Sequence, residues 1–228
     1  MRTVLAISPH LDDAIFSAGA LLWTLRKRGW RVAVVTVFTG NVEQPSGFAL
    51  ACQLDKGLAP EIDYMALRRD EDLRACAELD AEARHLPLLE APHRGYHNAA
   101  ALFDKVLPGD PAEGQVREEF GAMLADIQPD VVLAPLAIGG HVDHVIVRRA
   151  VEAIGGLRRL WLWEDWPYVD RSGSRERVKA RCLRFSAEAR AAKMRACACY
   201  VSQLGFQFGG VEALEARLSN QREEWFAG

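Results

Sequence analysis

Three segments within the first 38 residues limit the architecture more than anything after them. "TVLAIS" (3–8) is an apolar, largely β-branched run of the kind buried on both faces of a sheet. In "AIFSAGALLWTLRKRG" (14–29), Ile15, Ala18, Leu21, Leu22 and Leu25 recur at helical spacing and Gly29 supplies a stop. "RVAVVTVF" (31–38) reads as a second strand. Strand, helix and strand in so short a space form a βαβ unit, which implies parallel pairing with a right-handed crossover. The expected class is therefore α/β, with a mainly parallel sheet and helices on both faces.

Later segments extend that plan. The turn-rich stretch 39–63 is long enough to cover a site or to carry a short helix of its own. "YMALRRDEDLRACAELDA" (64–81) reads as a helix, "RHLPLL" (84–89) as a weak strand and "EAPHRGYHNAA" (90–100) as irregular. A helix is expected around 112–127. "PDVVLAPLAI" (129–138) is a strong strand ended by Gly139 and Gly140. "HVDHVIVRRAVEAIGG" (141–156) starts a helix with Val145, Val147, Ala150, Val151 and Ile154 as core positions. "RRLWLWEDWPYV" and "VKARCLRFS" read as two more strands, separated by the polar loop "DRSGSRER" (170–177). Helices over 187–199 and 211–226 close the chain. With no internal repeat, low-complexity tract or Pro/Ser linker, residues 1–228 are expected to form a single domain.

Composition removes several classes of partner. A net charge of −3 argues against nucleic acid, whose phosphates are bound by clustered Lys and Arg. No run approaches the roughly 20 apolar residues of a membrane span. The N-terminus enters a strand directly, without the pattern of a signal peptide, so a cytoplasmic setting is expected. Five cysteines at irregular spacing build neither a disulfide framework nor a zinc pair.

The chemistry gathers at strand ends. Open parallel sheets bind ligands beyond the carboxyl ends of their strands, and there stand "PHLDD" after the first strand and "HVDH" after "VVLAPLA". The first loop lacks the glycines of a dinucleotide site and places two carboxylates where phosphates would lie. A cation fits better. His10 and Asp13, three positions apart, can face one ion from a turn, and His144 can complete the set. Two imidazoles and one carboxylate with an open fourth position suit a catalytic zinc. Asp12, beside that position, is a candidate general base. His141 is either a fourth ligand or, as an imidazolium held charged by Asp143, a stabiliser of a developing oxyanion. The competing reading gives Asp12 or Asp13 a helix-capping role and leaves His144 as a hydrogen-bonded core residue.

Together, "SPHLDDA" and "HVDH" resemble the PIG-L/LmbE family of zinc-dependent de-N-acetylases. "LRRDEDLRACAEL" is similar to the family's Arg-x-x-Glu helix, through Arg68 and Glu71. "KMRACACYVSQ" is similar to its late Lys…Ser-Gln stretch, through Lys193, Ser202 and Gln203. The resemblance implies a Rossmann-like sheet, with His10, Asp13 and His144 as ligands of zinc and iron(II) as the alternative metal. It makes Asp12 the base, His141 the electrostatic catalyst or acid oriented by Asp143, and Arg68 a substrate contact. The chain departs from the family pattern at Leu11, where proline is usual, and at Ala14, where glutamate is usual. No tyrosine lies in 136–144, which leaves Tyr96, Tyr168 and Tyr200 to supply any phenolic hydroxyl.

The activity so implied is hydrolysis of an acetamide on an N-acetylated amino sugar or similar small conjugate. Rival readings are an amidase for a larger acyl or thiol-sugar conjugate and a non-catalytic sugar- or nucleotide-binding protein. Candidate substrate-wall residues are the aromatics Trp163, Trp166 and Tyr168 and the acids Glu164 and Asp165, although period-two alternation could equally bury Trp163. A homo-oligomer is compatible with these readings.

Overall fold

The structure, a computed structural model, describes residues 1–172, 180–220 and 223–227. In chain order the first half comprises β1 (Thr3–Ser8), α1 (Asp13–Lys27), β2 (Arg31–Thr36), α2 (Gly47–Leu54), α3 (Tyr64–Glu78), β3 (Glu82–His85), α4 (Ala99–Leu102) and α5 (Ala112–Ile127). The second half comprises β4 (Val131–Pro135), α6 (Val142–Glu152), β5 (Leu160–Trp163), α7 (Tyr168–Ser172) and β6 (Ala180–Leu183). It closes with α8 (Ala187–Ala198), α9 (Val201–Phe208), α10 (Val211–Asn220) and β7 (Glu223–Ala227).

The strands form one sheet in the order β3-β2-β1-β4-β5-β7-β6. The first five run parallel, and β7 enters antiparallel between β5 and β6. Alternation along each strand divides the core in two. Val4 and Ala6 pack with Val32, Val34, Val131 and Leu133 under α1, α3 and α8. Leu5 and Ile7 pack with Ala33, Val35, Val132 and Ala134 under α5 and α6. Each fully buried Leu or Ile stabilises the fold by about 1.5–3 kcal/mol relative to exposure. Both faces are thus covered, as the Rossmann-like reading expects. The strand order reverses between β1 and β4, the switch point where such sheets open a crevice.

Four expectations change. The stretch 211–226 is not one helix: α10 stops at Asn220 and β7 follows, because antiparallel partners on both sides supply the backbone bonds a helix would have made internally. The strand expected over 158–169 is only Leu160–Trp163, after which Tyr168–Ser172 is helical. Helix α9 went unforeseen, and on α6 the buried position is Ile146 in place of Val145. The "DRSGSRER" loop lies mostly outside the described residues. Among the described residues, no helix is long and apolar enough to cross a membrane.

Candidate metal centre

The turn after β1 is built around its own side chains. Ser8 Oγ donates to the His10 carbonyl at 2.6 Å and accepts the Ala14 N–H at 3.0 Å. Asp13 Oδ2 accepts the His10 N–H at 2.8 Å. Asp12 stands at the helix N-terminus but makes no side-chain capping bond, and its φ of 147° is a conformation L residues avoid. Such strain costs on the order of 1–3 kcal/mol and persists where surrounding structure enforces it. The capping explanation for Asp12 therefore fails, and its carboxyl is left facing a cavity.

The turn after β4 is equally tight, with positive φ at Ala137, Gly139 and Gly140. A Cβ on Gly139 would stand 3.2 Å from the Tyr168 Cβ, so glycine lets that ring approach. His141 then opens α6, and its Nδ1 accepts the Asp143 N–H at 3.3 Å.

The two turns converge. Asp13 Oδ2 lies 3.1 Å from His10 Nδ1 and 3.2 Å from His144 Nε2. The remaining ring nitrogens are held by carboxylates: His10 Nε2 bonds Asp143 Oδ2 at 2.9 Å, and His144 Nδ1 bonds Asp165 Oδ1 at 2.7 Å. Among the described residues, the buried His144 Nε2 finds no hydrogen-bond partner. Ligands around a tetrahedral zinc, with bonds near 2.0–2.1 Å, stand about 3.3 Å apart, so this donor set fits such an ion. A second grouping overlaps it: ligand atoms of His10, His141 and His144 fall within 4.8 Å of one another. The tighter spacing and the orphaned Nε2 favour the set containing Asp13.

Electrostatics mark the same point. Burial works to lower the His10 pKa, but Asp13 and Asp143 override it and hold the ring well above its ordinary value. Burial likewise opposes protonation of His144, yet Asp13 and Asp165 carry its pKa to about 9. Asp13, although buried, is kept well below the usual carboxylate value by His144 and His10. The polypeptide alone thus gathers positive charge where a cation would sit, and a metal would displace those ring protons. Burial, reinforced by Asp13 and opposed by Arg68, pushes Asp12 up to about 8. His141 moves the other way: burial and the neighbouring His10 push its pKa down to about 3, against the direction the imidazolium role calls for.

A cavity of about 530 Å³ opens on this cluster, with His10, Asp12, His141 and Asp143 in its wall. Arg68 lines it; Nη1 donates to Glu90 at 2.6 Å, Nη2 donates to the Leu11 carbonyl at 3.1 Å, and Asp12 is 3.6 Å away. Three expectations are corrected. Trp163 is 1% exposed and packs in the core beneath α1, so it is no substrate wall. Asp165 is also 1% exposed; it accepts from His144 and from the Ile138 N–H, away from the cavity. Asp143 does not send its carboxylate to His141; it goes to His10 and to Arg94 Nη2, at 2.6 Å. Of the proposed aromatics, Tyr168 alone reaches the cavity, its ring 5.0 Å from that of His144. Tyr96 and Tyr200 donate instead to Asp110 and Asp72.

Residues not named in advance complete the wall, Glu90 and Phe103 among them from the 90–112 loop expected to shape the pocket mouth. Tyr64 and Glu90 line it, and Phe103 sets its ring edge-on to His141 at 5.2 Å. Glu71 accepts two bonds from Ser202, through its N–H and its hydroxyl, so two of the stretches noted in the sequence meet in space.

Comparisons with known proteins place the chain in a family. Residues 5–154 match the PIG-L family, GlcNAc-PI de-N-acetylase. The chain is 37% identical over 180 residues to 2'-N-acetylparomamine deacetylase of Streptomyces fradiae, covering 78% of this chain and 60% of that protein. It thus spans only about three-fifths of the length of the curated relatives it matches. Among solved structures, A40926 pseudoaglycone deacetylase Dbv21 superposes with a TM-score of 0.80 at 32% identity, covering 98% of this chain and 96% of that one. The zinc-inhibited form of teicoplanin deacetylase Orf2 gives 0.81 at 29% identity, covering 99% and 97%. Because the matched stretch contains both strand-end turns and the helices they open, the chain belongs to the PIG-L family.

Proposed function

We propose that the protein is a zinc-dependent amide hydrolase that removes the acetyl group from an N-acetylated amino sugar or related small conjugate. The observation that carries this reading is the convergence of His10 Nδ1, Asp13 Oδ2 and His144 Nε2 beside an uncapped, strained Asp12 on a cavity wall. Zinc held by those three residues would supply Lewis acidity, which polarises an amide carbonyl and acidifies water. Asp12, uncapped and on the cavity wall beside that set, is placed to take a proton from the attacking water. His141 accepts at Nδ1, so its neutral ring carries its proton on Nε2 and can donate to the oxygen of the tetrahedral state. As the C–N bond breaks, Asp12 passes its proton to the departing nitrogen, leaving acetate and a free amine. Arg68, fixed by Glu90 and Leu11, borders Asp12 and offers a contact for substrate hydroxyls.

The cavity volume lies within the usual range of small-molecule sites, about 300–1,000 Å³. Tyr64, Phe103 and Tyr168 give it faces suited to a sugar ring. The deacetylase names of the relatives support the same reaction class. The reading takes residues 1–228 as one deacetylase domain, supported by the single sheet. It also places the protein in the reducing cytoplasm, in keeping with its free cysteines.

The test is acetate release from a panel of N-acetylated amino sugars, alone and with a chelator, alongside elemental analysis of the purified protein. Chelator-sensitive release with one bound zinc is the expected result. Protein that carries no metal and releases no acetate from any sugar overturns the reading.

A further inference from the structure

The two histidines of the metal centre point opposite nitrogens at it: His10 offers Nδ1, His144 offers Nε2. An imidazole gives a metal only the nitrogen that lacks a proton, and the partner of its other nitrogen decides which one that is. An ionised carboxylate can only accept, so it holds the proton on whichever nitrogen it faces. Asp165 faces His144 Nδ1 and Asp143 faces His10 Nε2. The second carboxylate is itself held. Arg94 Nη2 takes Asp143 Oδ1 at 2.6 Å, which leaves Oδ2 to the imidazole and to the Ala91 N–H at 3.1 Å. Arg94 is anchored behind by Asp110, through Nε at 3.0 Å, and lies over the Phe38 ring at 4.7 Å. Asp110 is held in turn by the Tyr96 hydroxyl at 2.9 Å. Neither Asp165 nor Arg94 is on the cavity wall, and both side chains are almost wholly buried.

We propose that Asp165 and Arg94 are positioning residues of the metal centre: Asp165 assigns Nε2 of His144 to the ion, and Arg94, by holding Asp143, assigns Nδ1 of His10. The inference rests on the zinc reading above. It extends that reading to two residues that touch neither metal nor substrate.

The experiment measures the zinc dissociation constant, by competition with a chromogenic chelator, for the wild type and for Asp165→Ala, Asp165→Asn, Arg94→Met and Arg94→Lys. Two-bond 1H–15N spectra of the histidine rings are recorded in parallel. Losing such an outer partner typically weakens metal binding about 10–100-fold. Asp165→Ala and Arg94→Met are expected within that range, with Asp165→Asn and Arg94→Lys at its lower edge because each keeps a group of the right hydrogen-bonding sense. The spectra should show His144 protonated on Nδ1 in the zinc-loaded wild type, and a mixture of tautomers in the Asp165→Ala protein. A packing role alone would lower the melting temperature without moving affinity or tautomer. If the alanine and methionine variants do not fold, the asparagine and lysine variants carry the test. Unchanged affinity and tautomer in every variant that folds overturns the inference, whereas a wild type that takes up no zinc overturns the metal reading instead.

Discussion

The turns after β1 and β4 supply the same centre by different means. The first keeps a strained non-glycine, Asp12, at φ 147°, and its histidine and two aspartates lie within four positions. The second reaches its tight path with two glycines and an alanine, and its histidines open a helix. Strain falls on a reactive group in one turn and on residues without functional side chains in the other. In both, a neighbouring segment decides how the histidine faces. His10 is held by a carboxylate 133 positions away, His144 by one 21 positions away. Which residues stand at each strand end is thus local, and what holds each histidine ring is long-range.

Three measurements sharpen that contrast, starting with the strongest. Alanine at His10, Asp13 or His144 should abolish both zinc retention and acetate release, matching the chelator-treated wild type; elemental analysis of each variant reads this directly. A variant that keeps its zinc would take that residue out of the ligand set. Next come the residues beside the ligands. His141→Ala should lower kcat about 10²–10³-fold with zinc still bound, and Asp12→Asn about 10²–10⁴-fold. Zinc loss from His141→Ala equal to that of the ligand variants would favour the three-histidine grouping instead. The smallest effect separates two aromatics five positions apart. Tyr168→Ala should raise KM about 2- to 10-fold, as loss of an aromatic contact worth about 0.5–1.5 kcal/mol would do. Trp163→Phe should leave KM unchanged and lower Tm by a few degrees, as a core change of about 1–2 kcal/mol does in a domain this size.

Trp163 shows why part of the site was not legible in advance. In a sheet covered on both faces, alternation places successive residues on opposite sides but marks neither side as solvent. Trp163 was therefore compatible with wall or core, and packing beneath α1 decided it. Asp165 read as a substrate-wall acid beside aromatics; only the meeting of the chain after β5 with α6 gives it His144 as partner. Arg94 carried no signal, because its place depends on Asp110 and Asp143 closing around it. The helix expected through residue 226 failed for a related reason. Its apolar spacing is compatible with a helix, but β5 and β6 offered edges that β7 joined.

By itself the sequence determined the βαβ opening, the parallel sheet and the strand ends that hold His10, Asp12, Asp13, His141 and His144, since periodicity and turn chemistry act over a few neighbours. Tertiary structure decided which carboxylate each histidine nitrogen meets, that burial lowers the His141 pKa, and which aromatics face the cavity. Those outcomes depend on burial and on carboxylates brought from distant segments, and the free energy of a buried polar group is set by what surrounds it in space.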